Sequence, residues 1–582
     1  MAEKQELWEA YEKLSHYFVV GIPPEDKRYY DRIVRELEII VDQRFADHFI
    51  KVHEIMRLTV DIPHITRGSA GSSLICYLMG ITNIDPIASD LPLARFMNPK
   101  RDDLPDVDID FPHHKQEEVM NRIFKRWPGK CARLSNYVTF KKKSALKEAA
   151  KRCDVDCDMG RDFNLQKVPV DKREMVRVIA KKLEGKKNYI SKHCGGIVFF
   201  DRGLPKSLIN NENQILLDKN ETEDLAILKV DILSSRGLSQ ITDINNIHPF
   251  NYPGEDEKTA ALLQRADTIG VIQGESPVFR RVLRNIQPGR REDTVLATAL
   301  IRPAAVTGRR EATFFRDMHK TEGTGKIRYK GGIVYDDDAI ALISRELGVN
   351  EYDADMYRRA FIKRNEEKVM EFVNLMGQHP DSAKIMHLLR NMDGFGLCKA
   401  HSINLGNLIW ALAYEKAHNP MKFWASALNN ACSMYRDWVH FEEAKWAGWQ
   451  IQGDRRPFIP DWESGTLRTP NYKLPLFDSN EDEFRARGWW SGSDFLSGMF
   501  YSPVNSDWVE LRGLIATGRR WKTERGWLTF ITVATGPKQY CDLVIEGSTD
   551  FHPFHWVEGI GKPRTRQNST AIEMKTFSYG RV

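Results

Sequence analysis

The sequence predicts a multidomain chain of mixed α/β (α+β) class, in which a sheet interrupted by helical blocks is followed by a small C-terminal β-barrel. Three observations predict this. With 582 residues the chain is too long for a single core. The stretch 105–111, Pro-Asp-Val-Asp-Ile-Asp-Phe, alternates charged and apolar side chains at the period of a strand. From Trp508 the helical spacing of the preceding blocks gives way to short runs, Val509 to Ile515, Trp527 to Val533 and Cys541 to Ile545, with Glu524-Arg525-Gly526 as a hairpin turn.

Composition narrows the class. A hydrophobic fraction of 42% and an aromatic fraction of 10% belong to a chain that packs cores. Lys and Arg number 85 against 80 Asp and Glu, so at +5 a polyanion must be met by local patches. The eight cysteines are scattered, which fits a reducing compartment. Cys153 and Cys157 form the only close pair, and no second Cys or His pair at zinc-site spacing lies nearby, which argues against zinc. The charged N-terminus lacks the apolar region of a signal peptide, and no run of about 18 apolar residues occurs. A soluble, cytoplasmic protein with no membrane partner is expected.

In chain order, Tyr30, Ile33, Val34, Leu37, Val41 and Phe45 recur at helical spacing, so residues 28–46 read as an amphipathic packing helix. Arg67-Gly68-Ser69-Ala70-Gly71-Ser72-Ser73 then runs into the apolar helical stretch Leu74 to Met79. Unpaired N–H groups at that helix N-terminus would stabilise a phosphate, although Gly and Ser are also ordinary capping residues. On the strand 105–111, Asp106, Asp108 and Asp110 share one face, and Val107, Ile109 and Phe111 the other. Carboxylates spaced about 7 Å apart on a half-buried strand raise one another's pKa unless a cation compensates them. Mg²⁺, which takes oxygen ligands and leaves positions for water and phosphates, suits them, whereas a solvated acidic edge strand would show the same pattern.

Lys143, Lys147 and Lys151 follow at i, i+4 and i+8, beside Lys141, Lys142 and Arg152, either a solvated helix face or a set of phosphate-backbone contacts. His193-Cys194-Gly195-Gly196-Ile197-Val198 comes next. The stretch 227–233, Ile-Leu-Lys-Val-Asp-Ile-Leu, reads as a buried strand with Lys229 and Asp231 on one face.

Arg67-Gly68-Ser69, Gly80 to Pro86, Arg95-Phe96-Met97-Asn98-Pro99 and Pro105 to Phe111, in this order and spacing, resemble the palm of the bacterial C-family replicative polymerases, the DNA polymerase III alpha subunits. The resemblance implies a polymerase-beta-like nucleotidyltransferase palm with helical thumb and fingers, followed by an OB-like β-barrel. In that family a Gly-Ser turn holds the triphosphate, an Asp-x-Asp pair holds two metal ions, and a neighbouring strand gives a third carboxylate. Carried over, Asp106, Asp108 and Asp231 hold two Mg²⁺ ions, while Arg67, Gly68, Ser69 and Lys229 meet the nucleotide. Asp110 has no assigned role.

Gly270 to Ser276, Arg302-Pro303, Gly332 to Asp337, Arg358-Arg359 and Lys399-Ala400-His401-Ser402 follow in the order of the family's fingers motifs. The resemblance places Arg358, Arg359, Lys399 and His401 around the incoming nucleotide and primer terminus. Cations suit that place, because phosphoryl transfer is catalysed mainly by positioning and electrostatics. A basic helix surface explains Arg358 and Arg359 equally well. In the barrel, Arg519, Arg520, Trp521, Lys522 and Trp527 supply the charge and the aromatic faces that would hold a single-stranded template, whereas a barrel used only for packing is the alternative. Lys473-Leu474-Pro475-Leu476-Phe477-Asp478 resembles the peptides that insert apolar anchors, here Leu474, Leu476 and Phe477, into a sliding clamp. The same residues would also serve to pin a linker to the fingers.

The expected organisation is a helical lead-in (1–66), palm (67–111), thumb (112–185), palm again (186–245), fingers (246–440), a linker with the clamp peptide (441–505), and the OB-like domain with a polar tail (506–582). Three departures from the family pattern stand out. The 66 residues before Arg67 leave no room for the N-terminal metallo-phosphoesterase-like (PHP) domain, and the stretch after Asn430 is short for a helix-hairpin-helix module. Asp336-Asp337-Asp338 replaces the family's Gln and Glu. A short, phage-encoded polymerase is expected, with primer-template DNA and dNTPs as substrates and proofreading by a separate exonuclease. The alternatives are a catalytically silent nucleic-acid-binding scaffold and primer or RNA synthesis by the same palm.

Overall fold

The computed structural model describes residues 4–581 except 24, 102–104, 157–159, 161–162, 211, 303–317, 321–326, 330–332, 378, 391–396, 432–433, 436, 454–455, 471–498, 506, 524–525, 537, 550, 552–554 and 567–568. The clamp-peptide residues Leu474, Leu476 and Phe477 lie outside the described residues.

A five-stranded sheet forms the first half. Its strands are β1 (Ile65–Arg67), β2 (Asp108–Pro112), β3 (Cys131–Thr139), β4 (Lys187–Phe199) and β5 (Leu228–Ser235), in the order β1-β2-β5-β4-β3. β2 and β5 run parallel and the other pairings are antiparallel. Alternation explains the burial: Val107, Ile109, Phe111, Val230 and Ile232 point into one core with Leu37, Ile40, Phe49 and Val52 of the helices Lys27–Asp42 and Ala46–Leu58 and with Val119 and Ile123 of Gln116–Arg126. The acidic side chains are left on the opposite face.

The segment expected as a helical thumb, 112–185, also contributes β3 to this sheet. The end of the long β3–β4 hairpin is a helical projection, in which Lys142–Arg152 and Arg173–Leu183 pack through Ala145, Ala149, Ala150 and Val176. A small-residue face lets two short helices approach closely, while their lysines stay outside.

The helical block that follows is organised on Lys399–His418, which is buried along most of its length. Trp410, Phe423, Trp424 and Phe279 fill its surroundings. A Cβ on Gly406 would lie 2.5 Å from Val295 Cα, so this crossing requires glycine. The region expected as a linker from 441 begins with ordered elements: the helix Asp437–Trp446 continues into it, and Gln450–Gln452, Thr466–Arg468 and Ile459–Asp461 form a three-stranded sheet.

At the C-terminus, Val509–Thr523, Gly526–Gly536, Gln539–Glu546, Ser569–Arg581 and His555–Arg566 pair in that order, and the last returns to the first, which closes a five-stranded barrel. The polar tail expected beyond Lys562 therefore supplies a whole strand of the barrel wall, Ser569–Arg581, and the end of His555–Arg566. Glycines and charged residues mask its alternation, yet Val557, Ile572 and Met574 are buried in the barrel core. Among the described residues no helix is long and apolar enough to cross a membrane.

Candidate active site

Four neighbouring strands build the site. In the sheet register Arg67 lies opposite Asp108, Asp108 opposite Asp231, and Asp231 opposite Gly196. Parallel pairing of β2 with β5 thus sets two carboxylates side by side. The strand expected from 105 begins at Asp108; Asp106 stands in its approach, where the Asp231 N–H holds the Val107 carbonyl at 3.3 Å. Asp106, Asp108 and Asp231 each bring a carboxylate oxygen within 4.8 Å of the others.

The electrostatics of this arrangement are strained. Burial first, and then the Asp106 and Asp231 charges, push the Asp108 carboxyl up to about 7. The Lys229 ammonium donates to Asp231 Oδ2 at 2.7 Å and to Asp106 Oδ1 at 2.9 Å. Burial alone would lower its pKa, but those two carboxylates reverse the effect and hold it above the ordinary lysine value. Asp231 Oδ1 is buried and has no hydrogen-bond partner among the described residues. An orphaned oxygen facing two further carboxylates is a donor set that fits a divalent, oxygen-seeking cation.

The third aspartate of the triplet is placed differently. Asp110 is buried, and Arg67 grips it in a fork, with Nε and Nη2 donating at 2.8–2.9 Å. Arg67 keeps partial exposure beside the Gly68 turn. Gly68 has φ +73°, and a Cβ there would lie 3.8 Å from Asp108 Oδ2, so the turn passes directly over the carboxylates. The helix N-terminus expected to receive a phosphate has an occupant from the chain itself. Glu36 accepts from Ser73 Oγ at 2.7 Å and from the N–H groups of Leu74 at 2.7 Å and Ile75 at 3.0 Å, and pairs with Arg32 at 2.9 Å. Only the Gly68-Ser69 part of the motif is left to face a ligand.

Two residues beside the carboxylates were not singled out as site residues in the sequence. Lys219 Nζ lies 3.9 Å from Asp106 Oδ2. His193 Nδ1 lies 3.7 Å from Asp231 Oδ1 and accepts the Gly196 N–H at 2.8 Å, which fixes the Nε2-protonated tautomer of a neutral ring. The His193-Cys194-Gly195-Gly196 motif was the available signal: a Cβ on Gly195 would collide with the Ile232 carbonyl, so the motif lets β4 press against β5.

The cations expected around the nucleotide are dispersed. Arg358 is an interior residue, 3% exposed, bonded to Asp355 at 2.8–2.9 Å. Arg359 is half-buried on the same helix, Glu351–Lys363. The Lys399 ammonium donates to the Ser89 carbonyl at 2.7 Å, and its N–H to Asp337 at 2.6 Å. Burial first, then the nearby Arg67 and Arg302, push His401 down to about 3, so it stands close to Arg67 as a neutral imidazole rather than as a cation.

Lys143, Lys147 and Lys151 share one side of Lys142–Arg152, with Lys143 and Lys151 exposed. In the barrel the pleat divides the expected stacking platform. Trp521 opposes Leu528, while Lys522 opposes Trp527 and Arg520 opposes Thr529. Directly opposed residues share a face, so Trp527 lies with Arg520 and Lys522, and Trp521 projects from the other side with Arg519.

Comparison with known proteins places this geometry. Residues 5–234 match the model of the bacterial DNA polymerase III alpha NTPase domain, and residues 235–379 that of the bacterial DNA polymerase III alpha subunit finger domain. The DNA polymerase III subunit alpha of Halalkalibacterium halodurans is 29% identical over 456 residues, 68% of this chain and 40% of the relative. That of Bacillus subtilis is 30% identical over 465 residues, 70% of this chain and 41% of the relative. An error-prone DNA polymerase of an Anaeromyxobacter species is 26% identical over 506 residues, 74% of this chain and 44% of the relative. The chain thus spans less than half the length of these relatives. On two contiguous domain matches that together run from residue 5 to residue 379, the chain belongs to the bacterial DNA polymerase III alpha family.

Proposed function

We propose that the chain is a template-directed DNA polymerase that adds deoxynucleotides to a primer 3′ end, with Asp106, Asp108 and Asp231 as the ligands of two Mg²⁺ ions. The observation that carries this reading is the convergence of the three carboxylates within 4.8 Å of one another beneath the Gly68 turn. Bound there, the ions would lower the pKa of the primer 3′-hydroxyl and offset charge on the pyrophosphate leaving oxygens.

The chain's own contribution is position and charge. β2 and β5 fix the separation of Asp108 and Asp231 through their backbone pairing. Lys229 bridges Asp106 and Asp231 and faces the phosphates of an incoming dNTP. Gly68 and Ser69 leave space above Asp108 for those phosphates, and Asp110 orients Arg67 at the edge of the same space. His401, neutral beside Arg67, offers an imidazole to the nucleotide rather than a charge.

Lys143, Lys147 and Lys151 are proposed to follow the primer-template backbone, a contact whose strength falls with salt. Arg520, Lys522 and Trp527, with Trp521 on the reverse side, are proposed to hold single-stranded template. A sliding clamp bound through Leu474, Leu476 and Phe477, and a separate proofreading exonuclease, complete the proposal.

Primer extension on a primed template, run in parallel with dNTPs and NTPs, tests it. Each metal ligand supplies several kcal/mol to the transition state, so Asp106→Ala, Asp108→Ala and Asp231→Ala are each expected to lose dNTP extension by a factor on the order of 10³ or more. Primer-template binding is expected to persist. A preference for NTPs would reassign the site to RNA or primer synthesis, and DNA binding without extension by the unaltered chain would make it a scaffold.

A further inference from the structure

The barrel docks on the helical block through Tyr540. Its hydroxyl donates to Glu443 at 3.0 Å, and its ring lies 5.1 Å from the Arg280 guanidinium. Beside this contact is a cavity of about 390 Å³ whose walls come from both parts of the molecule. Arg265, Arg280 and Arg284 line it from the helical side, and Lys538 lines it from the hairpin between two barrel strands. None of the acidic residues of the candidate active site borders it.

The charges around the cavity do not cancel. Of its two carboxylates, Asp267 is held by Lys416 at 2.7 Å. Glu443 accepts from Tyr540, and its burial raises its pKa toward the neutral form. Asp542, which stands near Arg284, accepts from Thr532 at 2.7 Å. Arg280 is committed to the Ala266 carbonyl and the Tyr435 hydroxyl. Arg284, one helical turn on from Arg280, makes no ion pair among the described residues, and neither does Lys538. Cations brought together across a half-buried junction repel, and an anion between them relieves the repulsion.

We propose that this junction cavity binds a small phosphate-bearing anion, either inorganic pyrophosphate or the phosphates of a free nucleotide, and that the bound anion ties the barrel to the helical block. A nucleic-acid strand follows an open groove lined by stacking faces, whereas this site is a partly enclosed pocket within the usual volume range for small ligands.

The test uses the full chain in EDTA, which suppresses metal-dependent binding at the acidic triad and keeps the outcome independent of the polymerase reading. Pyrophosphate, inorganic phosphate and dATP are titrated separately by calorimetry. One site per chain is expected. Arg284→Gln and Lys538→Gln should each weaken it at least tenfold, and Asp108→Asn should leave it unchanged. A stronger response to pyrophosphate identifies the inorganic source, and a stronger response to dATP the nucleotide; both support the site. Lys538 is exposed on its hairpin, so its variant carries the test if Arg284→Gln fails to fold. The proposal is overturned if no anion binds, if both variants bind as the unaltered chain does, or if an oligothymidylate displaces pyrophosphate and its own affinity depends on Arg284.

Discussion

The Cys398 thiol donates to the Gly68 carbonyl at 3.1 Å, joining positions 330 residues apart at the turn that passes over the carboxylates. Two further contacts seat the start of the same helix: Asn404 Nδ2 donates to the Thr66 carbonyl at 2.6 Å, and a Cβ on Gly71 would come within 2.9 Å of Ala400 Cβ. The helical block is thereby registered on the turn through close backbone approach. Gly71→Ala forces that seam apart, with Ile84 Cδ1 a further 3.1 Å obstacle. It is expected to cost about 1–3 kcal/mol of stability, in the range of overpacked cores, and to slow single-turnover extension. Unchanged melting and unchanged rate would show that the helix is not seated on the turn.

Lys229 yields a prediction separable from catalysis. Its ammonium compensates Asp106 and Asp231 at 2.9 and 2.7 Å in a buried setting. Lys229→Gln leaves Asp231 and Asp108 without that buried counter-charge, with Lys219, 3.9 Å from Asp106, the cation that remains beside them. Breaking a buried pair by removing one partner costs about 3–5 kcal/mol, a bound to be reduced here because Asp106 is partly exposed. The variant is expected to melt lower than the unaltered chain in EDTA, and added Mg²⁺ should restore more stability to it than to the unaltered chain, because a ligand that binds only the folded state stabilises it. An equal Mg²⁺ response in both proteins would detach Lys229 from the metal site.

What the sequence made legible follows from periodicity. The period-2 acidic stretch set the faces of Asp106 and Asp108, and strand 227–233 set that of Asp231; the register between β2 and β5 then brought them together. Asp110 was legible as a face and not as a partner, because its grip by Arg67 depends on the antiparallel pairing of β1 with β2, forty residues away. Glu36 of the Lys27–Asp42 helix, which takes the N–H groups at the start of Leu74–Leu78, escaped for the same reason: a buried Glu in an amphipathic helix carries no local sign of the donors it will meet. The two last barrel strands were hidden by their charges and by Gly559 and Gly561, which stand where apolar side chains would have continued the alternation.

The barrel tip allows a one-sided test. Because the pleat sets Trp527 with Arg520 and Lys522, and Trp521 on the reverse side with Arg519, a single strand lying along the basic face stacks on only one of the two rings. Base stacking contributes roughly 1–3 kcal/mol per base. Trp527→Ala is therefore expected to weaken oligothymidylate binding about 5- to 100-fold, and Trp521→Ala by less than twofold, in anisotropy titrations at fixed salt. Equal losses would mean that the strand wraps around the hairpin, and the reverse order would move the binding face.

Two aspartates of one strand are expected to respond in opposite directions. Asp108 is raised to about 7 by burial and by the neighbouring Asp106 and Asp231 charges, from an ordinary value of 3.8. Between those values the folded state binds the proton more tightly than the unfolded chain, so Asp108 favours folding at low pH and loses that contribution as pH rises through about 7. In EDTA at pH 8, Asp108→Asn should therefore raise stability, on the order of 1–3 kcal/mol, with the advantage shrinking toward pH 5, while extension with Mg²⁺ is lost. Asp110 has no such crowding. Its carboxylate receives the Arg67 fork at 2.8–2.9 Å, and in Asp110→Asn an amide N–H replaces one acceptor. That variant should lose about 1–3 kcal/mol, the range for charge-assisted bonds to a partly exposed partner, and keep both metal binding and measurable extension. Thermal melts of the two variants across pH 5 to 8, with Mn²⁺ titrations beside them, decide the matter. If Asp108→Asn is the less stable protein at pH 8, the carboxylates are not crowded; if Asp110→Asn abolishes metal binding, the metal site extends to the third aspartate.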